Sequence, residues 1–139
     1  MSGLIVLRAA WAPRLLSVLR IVVALLFLQH GLAKYFGFPH VAAMDAFVAL
    51  PFAQKITMLP GISGLIELIG SLLLLVGLFS VPAAFIMSGE MAAAYFLANN
   101  PRGFFPLLNG GEAAILFCFI FLYIAAAGPG PWSLDAKRT

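Results

Sequence analysis

Four long apolar runs follow one another along the chain, each close to the roughly 20 residues that a helix needs to cross the hydrocarbon layer of a bilayer. They predict spans over residues 15–36, 62–79, 81–98 and 110–127. Ahead of the first, Gly3 to Arg14 mixes Leu4, Ile5, Leu7 and Trp11 with Arg8 and Arg14, which suits a membrane surface with Trp11 at headgroup level. A signal-peptide reading of Ile21 to Leu28 and the small residues near Gly31 competes with this. It requires a very long basic leader and leaves Arg20 against the apolar core. Residues 37–61 interrupt the pattern with Pro39, Pro51 and Pro60 and with Asp45 and Lys55. Within them Val41, Met44 and Val48 recur at helical spacing, so the loop is expected to carry a short interfacial helix. Pro82 falls in the first turn of the third span, where it removes no helical hydrogen bond, and spans two and three form a tight hairpin. The segment NNPRGFFPLLN at 99–109 is a turn at the interface. Gly128-Pro129-Gly130-Pro131 stops the fourth span, and Trp132 marks the second interface.

The pattern predicts an all-α, integral membrane four-helix bundle forming a single domain over residues 1–139. Composition agrees: 63% of residues are hydrophobic and 9% charged, against roughly 45–50% and about 25% in soluble domains. Little of these 139 residues is left for a soluble catalytic domain. The net charge of +3 comes from eight scattered Lys and Arg, which form no stripe of the kind that phosphate backbones require, so nucleic acid is not an expected partner. Cys118 is the only cysteine, which excludes an intramolecular disulfide, a C-x-x-C pair and a thiolate zinc cage. Arg8, Arg14, Arg20, Lys137 and Arg138 flank one side of the spans, and Lys34, Lys55 and Arg102 the other. The excess predicts cytoplasmic termini, with 37–61 and 99–109 outside.

Chemistry is concentrated in the ionisable residues inside the apolar runs: Arg20, His30 and Lys34 in span one, Glu67 in span two, Glu90 in span three and Glu112 in span four. A charge facing lipid at mid-membrane costs about 2.5–3.5 kcal/mol on insertion scales. These groups are therefore expected to face one another. At about 100° per residue, Arg20, His30 and Lys34 share one side of span one, and Gly64, Glu67 and Ser71 share a face of span two where small residues permit close packing. Glu112, Leu116, Phe119 and Tyr123 form a strip on span four. Helical rise puts Lys34 and Glu112 near the outer boundary, His30 and Glu67 deeper, and Glu90 near the middle. Arg20 lies alone at the inner boundary, where its guanidinium is expected to snorkel toward headgroups. Lys34 and a charged His30 balance two of three glutamates, so one is left over, and the deepest, Glu90, is expected to carry a proton.

Two readings of this set stay open at the level of sequence. One is an outward-facing polar pocket of His30, Lys34, Glu67, Glu90 and Glu112, with Phe119 and Tyr123 as a wall, that binds a small polar molecule or a quinone head group. The other is an ion-pair network that fixes helix order. No haem site is expected, since only His30 of the two histidines lies within a span, and no metal-ligand spacing such as E-x-x-H occurs. Cys118 reads as a packing residue.

Several fragments in order give the chain a resemblance to a known family. Arg20, then HGLAK at 30–34 with GFP at 37–39, Glu67, Glu90, NGGE at 109–112 and GPGPWSLD at 128–135 together resemble the DoxX family of small prokaryotic membrane proteins. The resemblance implies a four-helix inner-membrane protein. Its namesakes are linked to a terminal quinol oxidase and to thiosulfate:quinone oxidation, and other members to redox-stress enzymes. It carries no catalytic assignment. The expectation is a redox-associated subunit that binds a quinone or a small sulfur compound while a partner protein supplies electrons. An assembly scaffold for redox complexes and a small-solute or proton-linked carrier are the alternatives. Expected partners are the lipid bilayer and a redox protein, with a homo-oligomer allowed.

Overall fold

A computed structural model describes residues 2–138. Every regular element among them is helical: α1 (Ser2–Phe36), α2 (Asp45–Val48), α3 (Phe52–Lys55), α4 (Leu59–Val76), α5 (Ser80–Ala94), α6 (Pro106–Asn109), α7 (Glu112–Ala127) and α8 (Leu134–Arg138). A 3₁₀ turn, Ala42–Met44, precedes α2. A π turn, Tyr95–Asn99, and a 3₁₀ turn, Asn100–Arg102, prolong α5. Ser2–Phe36, Leu59–Val76 and the run Ser80–Arg102 are long and apolar enough to cross a membrane, and Glu112–Ala127 is apolar but shorter.

Packing follows the order α1 on α4, α4 on α5 and α5 on α7, with a lighter contact between α1 and α7. On α4 the buried positions Gly61, Gly64, Glu67, Gly70, Ser71 and Leu74 recur every three or four residues, so one face of the helix is turned inward. Lipid is as apolar as leucine, and helices associate in it through close packing and polar bonds. Gly31 and Gly64 make that possible for α1 and α4. A Cβ on Gly31 would stand 2.7 Å from Leu68 Cγ, and one on Gly64 would stand 2.8 Å from a Tyr35 ring carbon. The core below gathers Val23, Phe27, Leu74, Met87, Phe121 and Ile124. Phe27 meets Phe117 and Phe121 edge-on at 5.0 and 4.9 Å between centroids, each such pair adding about 0.5–1.5 kcal/mol beyond area. The outer surface is lined with large apolar residues such as Leu25, Phe85, Leu116 and Phe119, as an apolar solvent allows.

The end of the bundle that carries the chain's C-terminal segment is tied by a clasp that corrects the expected role of Arg20. This side chain does not reach toward headgroups; Arg20 is fully buried. Its Nε donates to the Leu74 carbonyl at 2.8 Å, Nη2 donates to the Trp132 carbonyl at 2.6 Å, and Nη1 donates to the Pro129 carbonyl. One planar fork thereby joins α1, the end of α4 and the GPGPW segment, a geometry that guanidinium suits. Gly77 ends α4 in the left-handed region at φ 72°. The Leu78 amide then returns to Leu73 O at 2.8 Å, the closing bond of a Schellman turn. Asp135 covers the start of the next helix from outside it: its two oxygens accept from the Phe79 and Ser80 amides at 2.9 and 2.8 Å. Burial opposes ionisation of Asp135, but those amide bonds and the charge of Arg138 outweigh it and hold the carboxyl below its ordinary 3.8.

Candidate functional site

At the opposite end of the bundle, α1, α4 and α5 each contribute one or two polar side chains to a single cluster. Lys34 sits in the last turn of α1, and its Nζ donates to Glu67 Oε1 and to Ser63 Oγ, both at 2.8 Å. Ser63 and Glu67 are four residues apart on α4, so one side chain stands above the other, with Oγ 3.2 Å from Oε1. From α5, Glu90 brings Oε1 to 2.6 Å from the same Ser63 hydroxyl. Ser63 therefore bridges all three ionisable groups. It owns one proton, which serves only one carboxyl group at a time.

The cluster contains one cation and two carboxyl groups, so Lys34 balances one of them. Glu67 is the paired one, with only 4% of its side chain exposed. Glu67 Oε2 and Glu90 Oε2 are buried with no hydrogen-bond partner among the described residues. Lys34 has three donors and uses two of them. The arrangement offers an unused ammonium proton beside an unused carboxyl oxygen.

Lys34, Ser63 and Glu90 also line a cleft of about 700 Å³ between α4 and α5. Its remaining walls are apolar or small, among them Leu59, Ile62, Ile66, Ile86, Ala93 and Leu97. Gly89 opens onto it, and a Cβ built there meets nothing within 4 Å. The π turn at Tyr95–Asn99 adjoins the upper wall, where Leu97 and Ala98 contribute. A local widening of this kind is frequent beside functional sites.

Of the five residues expected to cluster, the structure brings together Lys34, Glu67 and Glu90. His30 and Glu112 lie outside that group, both exposed on the bundle surface. The His30 ring packs against Phe27 at 5.5 Å, and its Nδ1 pairs with the Leu26 carbonyl at 3.0 Å. Glu112 opens α7 at its exposed N-terminal end, and Lys34 reaches Glu67 instead of Glu112. Phe119 and Tyr123 do not line the cleft; they are 64% and 59% exposed on the outer strip of α7. Glu90, the acid expected deepest, shares the Ser63 hydroxyl with Lys34, the residue expected near the outer boundary. Cys118 is half-buried with Sγ 3.5 Å from Ser88 Oγ, a packing environment. Among the described residues, no three His, Cys, Asp or Glu side chains converge as metal ligands do.

Ser63 is the site residue that the sequence reading missed. Its signal was present: a serine one helical turn before an in-span glutamate. Asn109 was read only as part of a turn, yet it is buried and organises that turn. Its Nδ2 donates to Gly103 O at 2.9 Å and its Oδ1 accepts from the Gly111 amide at 2.7 Å.

Comparison with known proteins places this geometry in a family. An uncharacterized protein of Haemophilus influenzae is 43% identical over 131 residues, covering 91% of this chain and 92% of the relative. An uncharacterized membrane protein of Mycobacterium tuberculosis is 26% identical, covering 92% of this chain and 83% of the relative. No solved structure matches the chain. The DoxX family profile matches residues 15–100, which hold Arg20 and the whole Lys34, Ser63, Glu67 and Glu90 cluster. The chain belongs to the DoxX family of membrane proteins.

Proposed function

We propose that this protein is a ligand-binding subunit of a membrane redox system, holding a quinone or a small sulfur compound at the Lys34–Ser63–Glu90 end of the cleft. In this reading α1, α4, α5 and α7 all span the inner membrane, both termini are cytoplasmic, and the cleft faces the outer side. The observation that carries it is the opening of a half-satisfied polar cluster into an apolar cleft of about 700 Å³. That volume lies within the range of small-molecule sites, and so does the mixture of apolar walls with few polar groups. A quinone head presents carbonyl acceptors to the free Lys34 proton. Quinone chemistry couples electrons to protons, and Glu90 is the carboxyl available to exchange one. A partner protein supplies the electrons in this account.

The scaffold reading draws support from one separate feature, the exposure of His30, Glu112 and the Phe119–Tyr123 strip, which a neighbouring protein could cover. A carrier needs the far end to open, and the three carbonyl bonds of Arg20 hold that end closed. Titration of the purified protein in detergent with a short-chain quinone and with thiosulfate is the test. Saturable binding that Glu90→Gln weakens at least tenfold, roughly 1.4 kcal/mol, is the expected result. Linear, non-saturable uptake of both compounds would leave the scaffold as the better account.

A further inference from the structure

A second cation in the chain lacks the counter-ion that Lys34 has. Lys55 ends the short helix α3 in the loop between α1 and α4, and it is only 4% exposed. Its Nζ lies over the rings of Tyr35 and Phe47, at 5.4 and 5.6 Å from the centroids. No carboxylate pairs with it among the described residues. Asp45, the acid in the same loop, is engaged by His40 at 2.9 Å. The backbone here is fixed by close contact: the Tyr35 hydroxyl donates to Gly61 O at 2.8 Å, and a Cβ on Gly61 would collide with the Lys55 carbonyl. Aromatic faces attract an ammonium but do not neutralise it. A buried charge ordinarily has an ion or several hydrogen bonds as its partner.

Beside this ammonium is a cleft of about 340 Å³ lined by Tyr35, Phe36, Phe52, Lys55, Leu65 and Leu68. It shares no lining residue with the cleft at Glu90. Lys55 supplies its one charge, and every other wall is aromatic or aliphatic. We propose that this cleft is a binding site for an anionic amphiphile of the membrane, with the acidic head, a phosphate or carboxylate, on Lys55 and an alkyl chain along Phe36, Leu65 and Leu68. The position suits such a ligand. The loop packs on the end of α1, which in the proposed topology lies where headgroups meet acyl chains, and the cleft continues from the ammonium onto the apolar flank of α4. This site is independent of ligand binding at Glu90.

The test is thermal unfolding of the delipidated full-length protein in neutral detergent, with added phosphatidylglycerol, phosphatidylcholine or inorganic phosphate. Phosphatidylglycerol in excess is expected to raise the midpoint by about 5 °C or more, and the other two to leave it unchanged. Lys55→Gln should abolish the rise and Lys55→Arg should retain most of it. Equal effects of the two lipids, or a rise that persists in Lys55→Gln, would overturn the proposal. An equal response to inorganic phosphate would overturn the assignment to an amphiphile. If the Gln variant does not fold, ¹⁵N–³¹P dephasing supplies the answer in phosphatidylglycerol bilayers, using ¹⁵N-lysine protein with the exposed Lys137 changed to Ala. Lys34 and Lys55 are then the two labelled ammoniums, and the Lys55 signal is the one that Lys55→Arg removes; its dephasing by lipid phosphorus supports the site, and its absence refutes it.

Discussion

Ser63 Oγ lies 2.6 Å from Glu90 Oε1, and through this bond the ion pair of α1 and α4 is continued into α5. The bond lies where the cleft begins, so a hydroxyl, two carboxyl groups and an ammonium share one small space. Lys34 and Glu67 hold helices together, while Glu90 presents an oxygen that no described residue uses.

Lys34→Met should destabilise the protein by about 3–5 kcal/mol, because it strands the buried Glu67 carboxylate. In Lys34→Met with Glu67→Leu the loss should be well below the sum of the single losses. Lys34→Met with Glu112→Gln should be additive, since Glu112 lies elsewhere on the surface. Denaturant unfolding in mixed micelles gives all the values. Additivity for Glu67 would contradict the assigned pair.

Replacement of Arg20 tests the clasp. Arg20→Met removes the guanidinium from the carbonyls of Pro129 and Trp132 and leaves Leu74 O with the Gly77 amide alone, an expected loss of about 3 kcal/mol or more. Arg20→Lys should recover only part of it, because one ammonium cannot match the spread of a guanidinium fork. Protease sensitivity of the segment after Gly128 should rise in both variants, in that order.

Asp135 gives the clasp a pH dependence of known sign. Its folded carboxyl titrates below the ordinary 3.8, so the unfolded chain binds the proton more readily. Its contribution is fully present above the unfolded value and is lost as the pH falls through the lower, folded one. Asp135→Asn should therefore be less stable than the wild type at neutral pH, and the difference should shrink below about pH 4. An offset independent of pH would show that charge at Asp135 plays no part.

Orientation has its own check. In a Cys118→Ser background, Asp45→Cys should be labelled by a membrane-impermeant maleimide added to the outside of intact cells. Labelling only after the cells are opened would reverse the proposed topology.

The all-helical architecture with its long apolar helices and the α4 face of Gly64, Glu67 and Ser71 were legible in the sequence because they depend on side-chain hydrophobicity and periodicity, which are written there. Lys34 and His30 show where periodicity stops. They are one turn apart, yet the long lysine stem reaches α4, while the His30 ring is held on its own helix by the Leu26 carbonyl. Reach and local bonding decide such cases, and helical angle alone does not. Arg20 was misread for a different reason. Its partners are backbone carbonyls of α4 and the GPGPW segment, and carbonyls have no sequence signature.

Filling the cleft is the most direct test of the central claim. Gly89→Leu projects a side chain into space that holds no neighbour within 4 Å of the new Cβ, so the fold should be unaffected. Wild type and variant would be purified in parallel, their melting temperatures compared, and the small molecules extracted from each identified by mass spectrometry. The account predicts equal stability, a quinone or small sulfur compound present in near-stoichiometric amount in the wild type, and at least a tenfold loss of it in Gly89→Leu. The same compound retained in full by a stable Gly89→Leu protein, or no small molecule with either, would contradict it.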